Sequence, residues 1–467
     1  MRSTLFLLSA VIVTSALFAY YWTPYAIDDA WITYRYAEHV GAGDGFVYNP
    51  GERVLGTSTP LYTLLLAGAH ALGMSVPVVS WVVGFAATLG TIVGVFLLTR
   101  LLHSELAALV AMAVLMMTPQ FHKVATYGME TPLYVCMIVY AFYAYATRRH
   151  TVAFVLAAGC LVTRLDGAAV GAALFGAYLV EYRRLPWKHI ALYLAIAVPW
   201  FAYSQLYFGT FLPNSFLAKR QHMNTSLQGW MLRWIVVRAA AVPAAIGGLA
   251  TLFATRTRLL ALPMLLWSCA YVTAYTLSSL WRHQWYFMPI TVPLAIFGAI
   301  GVVLVSEWLL RDHQARQWAV GAMAVLLLAP DVLTTVRQLR AGPYYDPIEG
   351  VRYEVARWMR DNVPRSAVVA TGGIGVVGYL TGNYILDSAG LVSPQVIGEV
   401  GPDFFLETAV SRFHPDYVLL SRYEMHDFMQ NDYAFVKTWP TPSEDVPFYR
   451  LACRVPCVGG LPVETPR

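Results

Sequence analysis

The chain has 467 residues, 58% of them hydrophobic and only 13% charged, with 32 Lys and Arg against 27 Asp and Glu. A mean hydropathy of +0.53 excludes an ordinary water-soluble multidomain protein, in which about a quarter of residues are charged. The net charge of +5 does not indicate a nucleic-acid partner, because the basic residues gather at the ends of apolar runs, where they orient membrane spans.

Residues 5–22 follow Met1-Arg2, lack an Ala-x-Ala cleavage site and run into an acidic motif, so they are expected to be an uncleaved first span. That motif is Ile27-Asp28-Asp29-Ala30-Trp31-Ile32-Thr33-Tyr34-Arg35-Tyr36. A single Asp would serve as a helix N-cap, and a second beside it points to chemistry, as a base or a metal ligand. Arg35 lies seven residues after Asp28, on the same helix face, placed to orient or neutralise the acid.

Residues 59–72 are apolar but fall short of the roughly 20 residues that a span requires. Read as a helix lying along the interface, they leave the basic clusters Arg100/His103, Arg148/Arg149, Arg183/Arg184/Lys188, Arg256/Arg258 and Arg311/Arg316 all on the cytoplasmic side. About eleven spans follow. The outside loops are then residues 28–58, 120–131, the Arg164-Leu165-Asp166-Gly167 corner, 208–230 and 278–285.

Those loops hold the residues that a sugar transfer from a phosphate leaving group demands: a base for the acceptor hydroxyl, cations for the phosphate, and a pocket that excludes water. Asp28 is the expected base, with Asp29 as its partner and Glu130 as a further catalytic acid. Arg35, Lys219, Arg282 and His283 are the expected donor-phosphate contacts, since cations outside oppose the topological bias. Asp166 beside Arg164 fits substrate contact and a structural ion pair equally well.

From residue 341 the composition changes, giving an expected division into a membrane module, 1–340, and an extracytoplasmic α/β domain, 341–467. A helix is expected over 347–360 and strands over 367–370, 384–386 and 417–420. Gly373-Ile374-Gly375-Val376-Val377-Gly378 has the G-x-G-x-x-G spacing of a dinucleotide fingerprint, but without a full βαβ unit these read as turn glycines. Cys453 and Cys457 sit in the polar tail, where a disulfide loop is open to them; Cys136, Cys160 and Cys269 read as buried apolar residues.

Asp28-Asp29, the stretch Gly45-Phe46-Val47-Tyr48-Asn49-Pro50-Gly51-Glu52-Arg53-Val54, then Thr59-Pro60-Leu61-Tyr62, Met129-Glu130, Arg164-Leu165-Asp166-Gly167 and Pro213-Asn214-Ser215-Phe216 together resemble the GT-C superfamily of membrane glycosyltransferases. Within it the chain looks similar to the branch of cell-wall arabinofuranosyltransferases that use a decaprenyl-phosphate donor. The resemblance implies a multi-span core with interfacial helices in the first outside loop, a catalytic acid at Asp28, inversion in one displacement, and a polyprenyl-phosphate sugar donor. Substrate contacts are expected at Arg53, Arg164, Asp166 and Asn214. The implied acceptor is an extracytoplasmic glycan, glycolipid or protein, and the implied location is the cytoplasmic membrane, with the active site outside. Some members use a divalent cation, for which Asp28, Asp29 and Glu130 are the candidate ligands, although their spacing does not require one. The competing readings are a transporter or flippase of lipid-linked sugars, and a non-catalytic scaffold with an exported domain.

Overall fold

The computed structural model describes residues 26–215, 229–254, 257–278, 283–341, 347–396, 405–421, 432–440 and 449–462. The expected first span, residues 5–22, lies outside them. In chain order the helices are α1 (Asp28–Ala42), α2 (Pro60–Ala71), α3 (Val76–Leu102), α4 (Glu105–Met117), α5 (Pro119–Ala125), α6 (Thr131–Ala146), α7 (His150–Thr163), α8 (Ala168–Tyr182) and α9 (Trp187–Phe208). There follow α10 (Trp230–Val236), α11 (Ala241–Phe253), α12 (Arg258–Leu277), α13 (Met288–Leu309), α14 (His313–Ala341) and α15 (Pro347–Asn362). The remainder is β1 (Val368–Thr371), α16 (Ile374–Thr381), β2 (Tyr384–Asp387), α17 (Phe405–Phe413), β3 (Tyr417–Ser421), β4 (Tyr433–Trp439) and β5 (Tyr449–Arg454).

The chain divides into two compact units: Met1–Thr23, Trp81–Trp200 and Asn224–Tyr344 form the first, and Pro24–Ser80, Phe201–Met223 and Tyr345–Arg467 form the second. The C-terminal residues therefore share a unit with the first loop and its acid pair.

The described part of the first unit is helical. Five helices among the described residues of the chain are long and apolar enough to cross a membrane, and two bent pairs, α4 with α5 and α10 with α11, raise the number to as many as seven. Segments such as α6, 16 residues, and α7, 14 residues, are apolar but shorter than a full hydrocarbon crossing. The buried helix α13 is approached closely by α11, because small residues face each other: a Cβ on Gly247 would lie 2.0 Å from the Phe297 carbonyl oxygen, and one on Gly301 only 1.9 Å from that of Pro243. Close backbone contact of this kind gives helices dispersion energy where apolar solvent supplies no hydrophobic drive.

In the second unit, the apolar stretch expected to lie along the interface forms the helix α2 over Pro60–Ala71. The C-terminal part is a five-stranded sheet in the order β2-β1-β3-β5-β4. β1 runs parallel to β2 and β3, with Val369 opposite Ile385 and Ala370 opposite Val418, while β5 pairs antiparallel with both β3 and β4. Ala370, Leu386, Val396, Leu406, Ala409, Val410, Val418 and Leu420 bury their side chains together between the sheet and α17. The helix and three strands expected from the sequence are present within two residues of their expected ends; β4 and β5 were not anticipated. Cys453 and Cys457 form a disulfide.

Candidate active site

Among the described residues, two clusters hold most of the chemistry-bearing side chains, one in each unit.

In the second unit, α1 presents Asp28, Trp31, Arg35 and Glu38 at intervals of three, four and three residues, which places them on one face. That face meets α16. Gly373, the N-cap of α16, has no side chain to offer the free N–H groups of the first turn. Asp28 supplies the cap from a distant part of the chain: its Oδ2 accepts from the Gly375 N–H at 3.1 Å and its Oδ1 from the Val376 N–H at 2.9 Å. These are the second and third helical residues, the positions that a local Ser or Asp cap would serve. At the other end, Arg35 donates from Nη1 to the Gly378 carbonyl at 2.7 Å and from Nη2 to that of Asn383 at 2.7 Å. An anion thus sits at the N-terminus of α16 and a cation at its C-terminus, both complementing the helix dipole. Between them Trp31 packs edge-on against Tyr379, centroids 4.7 Å apart, and the Tyr379 hydroxyl donates to Glu38.

The glycines of residues 373–378 are what allow this contact. A Cβ on Gly375 would lie 1.7 Å from the Asp28 carbonyl oxygen, and one on Gly378 would lie 2.0 Å from the Tyr48 hydroxyl and 2.6 Å from Arg35 Nη1. The expectation of turn glycines is therefore corrected: Gly375 and Gly378 lie inside a helix and admit α1. A dinucleotide phosphate has no place there either, since the Asp28 carboxylate takes the N–H groups that would cradle it.

Other residues of the first loop complete the contact. Asn49 pairs with Ile385 of the sheet-edge strand β2, its Nδ2 donating to the Ile385 carbonyl at 2.9 Å and its Oδ1 accepting the Ile385 N–H at 3.1 Å, so that it supplies the bonds a further strand would make. Asp387, at the end of β2, is fully buried and accepts the N–H groups of Ala389 at 2.8 Å and Val392 at 3.0 Å. Burial raises its carboxyl to about 6, with the Asp28 charge adding to the rise and the loop N–H groups opposing it. Arg352 is held protonated against its burial by Asp28, Tyr449 and Glu349; its Nη1 meets Glu349 at 2.8 Å and its Nε the Tyr449 hydroxyl at 2.9 Å.

Four expected site residues of this unit can now be placed. Arg35 is buried and its two terminal nitrogens are bound to backbone carbonyls, so the expectation that it grips a donor phosphate is corrected to a role inside the protein. Asn214 is buried as well, and its amide nitrogen donates to the carbonyls of Gly390 and Leu391, which fixes a loop rather than offering a substrate contact. Arg53 is exposed, with its guanidinium 4.7 Å above the Tyr207 ring. Asp29 is half-buried and, among the described residues, makes no hydrogen bond or ion pair.

The first unit holds the other cluster. Arg164 donates from Nη1 to Glu130 at 2.7 Å and grips Asp166 with Nε at 3.0 Å and Nη2 at 3.1 Å. The Tyr275 hydroxyl donates to Asp166 Oδ2 at 2.7 Å, and the guanidinium faces the rings of Tyr134 and Tyr286. The structural pairing of Arg164 with Asp166 is thus present, and it extends to Glu130. His283 stacks on Trp285, centroids 4.2 Å apart. Lys219 and Arg282 lie outside the described residues.

Of the candidate metal ligands, Asp28 accepts one backbone N–H on each oxygen and Glu130 accepts Arg164 on Oε1, and among the described residues no three His, Cys, Asp or Glu side chains are grouped as metal ligands would be.

The crystal structure of ArnT from Cupriavidus metallidurans bound to undecaprenyl phosphate matches 97% of this chain and 98% of its own, with a TM-score of 0.62 and 14% identity. The oligosaccharyltransferase from Archaeoglobus fulgidus in the apo form matches 94% of this chain and 75% of its own, with a TM-score of 0.59 and 14% identity. AglB from the same organism, in complex with an inhibitory peptide and a dolichol-phosphate, matches 96% and 74%, with a TM-score of 0.58 and 13% identity. The chain shares the fold of these structures along nearly its whole length. Residues 338–452 match a family described as a domain of unknown function, DUF8728. No curated protein matches the sequence. At 13 to 14% identity the likeness concerns the path of the chain, not the identity of individual site residues.

Proposed function

We propose that the protein is a membrane glycosyltransferase that moves a sugar from a polyprenyl-phosphate donor to an acceptor hydroxyl. The observation that carries this reading is the fold match along 97% of the chain with a structure bound to undecaprenyl phosphate, a lipid carrier of the proposed kind. The acid pair Asp28-Asp29 supplies the base. In the proposed step the acceptor O–H gives its proton to a carboxylate while its oxygen bonds to the anomeric carbon. The bond from that carbon to the phosphate oxygen breaks, and polyprenyl phosphate leaves with the electron pair. One displacement inverts the anomeric centre. Among the described residues of the second unit, exposed Arg53 is the candidate for the phosphate.

The Cys453–Cys457 disulfide supports placing the second unit on the oxidising, extracytoplasmic side of the cytoplasmic membrane. Transfer of a pentose in cell-wall assembly, as in the arabinofuranosyltransferase branch, is the finer assignment we favour from the order of the motifs. The test is turnover: protein reconstituted in lipid, given a panel of polyprenyl-phosphate sugars, is expected to release polyprenyl phosphate with sugar appearing on an acceptor. Solute or lipid flux without transfer would replace this reading with a transporter.

A further inference from the structure

Resting on the transfer reading, we infer that the two adjacent acids divide the work: Asp29 takes the proton, and Asp28 is a positioning residue that the glycine helix α16 holds in place. Three observations lead here. Both oxygens of Asp28 already accept backbone N–H groups at 3.1 and 2.9 Å. Asp28 belongs to the stripe of α1 that faces α16, whereas Asp29 is turned from it by about 100°, one residue of helical rotation. Asp29 has no hydrogen bond or ion pair among the described residues, which leaves its carboxylate available to an incoming hydroxyl.

The consequence is that a segment near residue 375 sets the geometry at residue 29. Asp28 and Arg35 clamp the two ends of α16 from one rigid helix, so the first turn of α1 cannot shift without breaking the cap. Reaction geometry is sensitive to such shifts, a misplacement of about 1 Å costing on the order of 10²-fold in rate. The C-terminal segment is then part of the catalytic framework rather than an acceptor-binding appendage.

Ser and Asn keep one of the two acceptor oxygens that Asp28 gives the helix, enough for a partial cap, but cannot serve as a carboxylate base. In the reconstituted full-length protein, Asp28→Ser and Asp28→Asn are expected to stay within about tenfold of the wild-type kcat, while Asp28→Ala, which has no acceptor, loses about 10²-fold. Asp29→Asn is expected to lose about 10²- to 10⁴-fold. The donor KM should stay unchanged in the Asp28 variants, and the acidic limb of the kcat–pH profile should persist in them. Gly375→Ala, which drives a methyl group into the Asp28 backbone, should reproduce the Asp28→Ala loss if it folds. A wild type that turns over while Asp28→Ser and Asp28→Asn are as inactive as Asp29→Asn overturns the division of roles. A wild type that releases no polyprenyl phosphate overturns the transfer reading and this assignment with it.

Discussion

The two clusters hold carboxylates by different physical means. Around Asp28 the hydrogen-bonding partners are backbone N–H groups at the positive end of a short helix, with the Arg352 charge acting on it through space. Around Glu130 and Asp166 the partner is a single guanidinium bridging two acids, with the Tyr275 hydroxyl as a further donor. The contrast separates anchoring from chemistry. The dipole-held acid has a neighbour, Asp29, that is unpaired among the described residues, whereas the guanidinium-held acids are both bound to Arg164. The first arrangement leaves a reactive group beside a fixed one, and the second is a closed network suited to locking α6, the Arg164 corner and α12 together.

Four substitutions break or sharpen this contrast. The largest expected effect is on turnover: Asp29→Asn should lower kcat by about 10²- to 10⁴-fold with little change in melting temperature. Next is Arg164→Met, which leaves Glu130 and Asp166 buried without their cation and should cost about 3–5 kcal/mol of stability, read as a lower melting temperature. The third concerns Asp387. The folded protein holds this proton with a value of about 6, against 3.8 for an unperturbed carboxyl, so ionising it costs stability. The second unit should therefore lose up to about 3 kcal/mol as pH rises from about 4 to about 6. Asp387→Asn should flatten that slope in denaturation measured at pH 4.5 and 7. The smallest is Tyr275→Phe, which removes one of the donors to Asp166 while the guanidinium remains, for about 1 kcal/mol.

Much of this was legible in the sequence, and the remainder was hidden by chain separation. Asp28 and Arg35 could be placed on one helix face because helical spacing is local. What they grip lies some 345 residues away and consists of backbone groups, which no side-chain pattern announces. The glycines at 375 and 378 were visible, but their purpose was not, since a glycine needed for close approach looks like one needed for a turn. The Arg164–Asp166 pair could be anticipated because its members are two residues apart; Glu130, 34 residues from Arg164, could be singled out but not joined to it. The central strands announce themselves as runs of Val, Ile and Leu between turn residues. β4 and β5 are mixed in polarity and only half-buried in part, so their pattern is weaker.

The central claim is sugar transfer from a lipid phosphate. It is tested most directly by incubating the reconstituted protein with polyprenyl-phosphate sugars and following free polyprenyl phosphate by mass spectrometry, with Asp29→Asn as the paired control. The account predicts release coupled to a new glycosidic bond of inverted configuration in the wild type, and release about 10²- to 10⁴-fold slower in the variant. Equal release from both proteins, or movement of the intact donor across the bilayer without release, would contradict it.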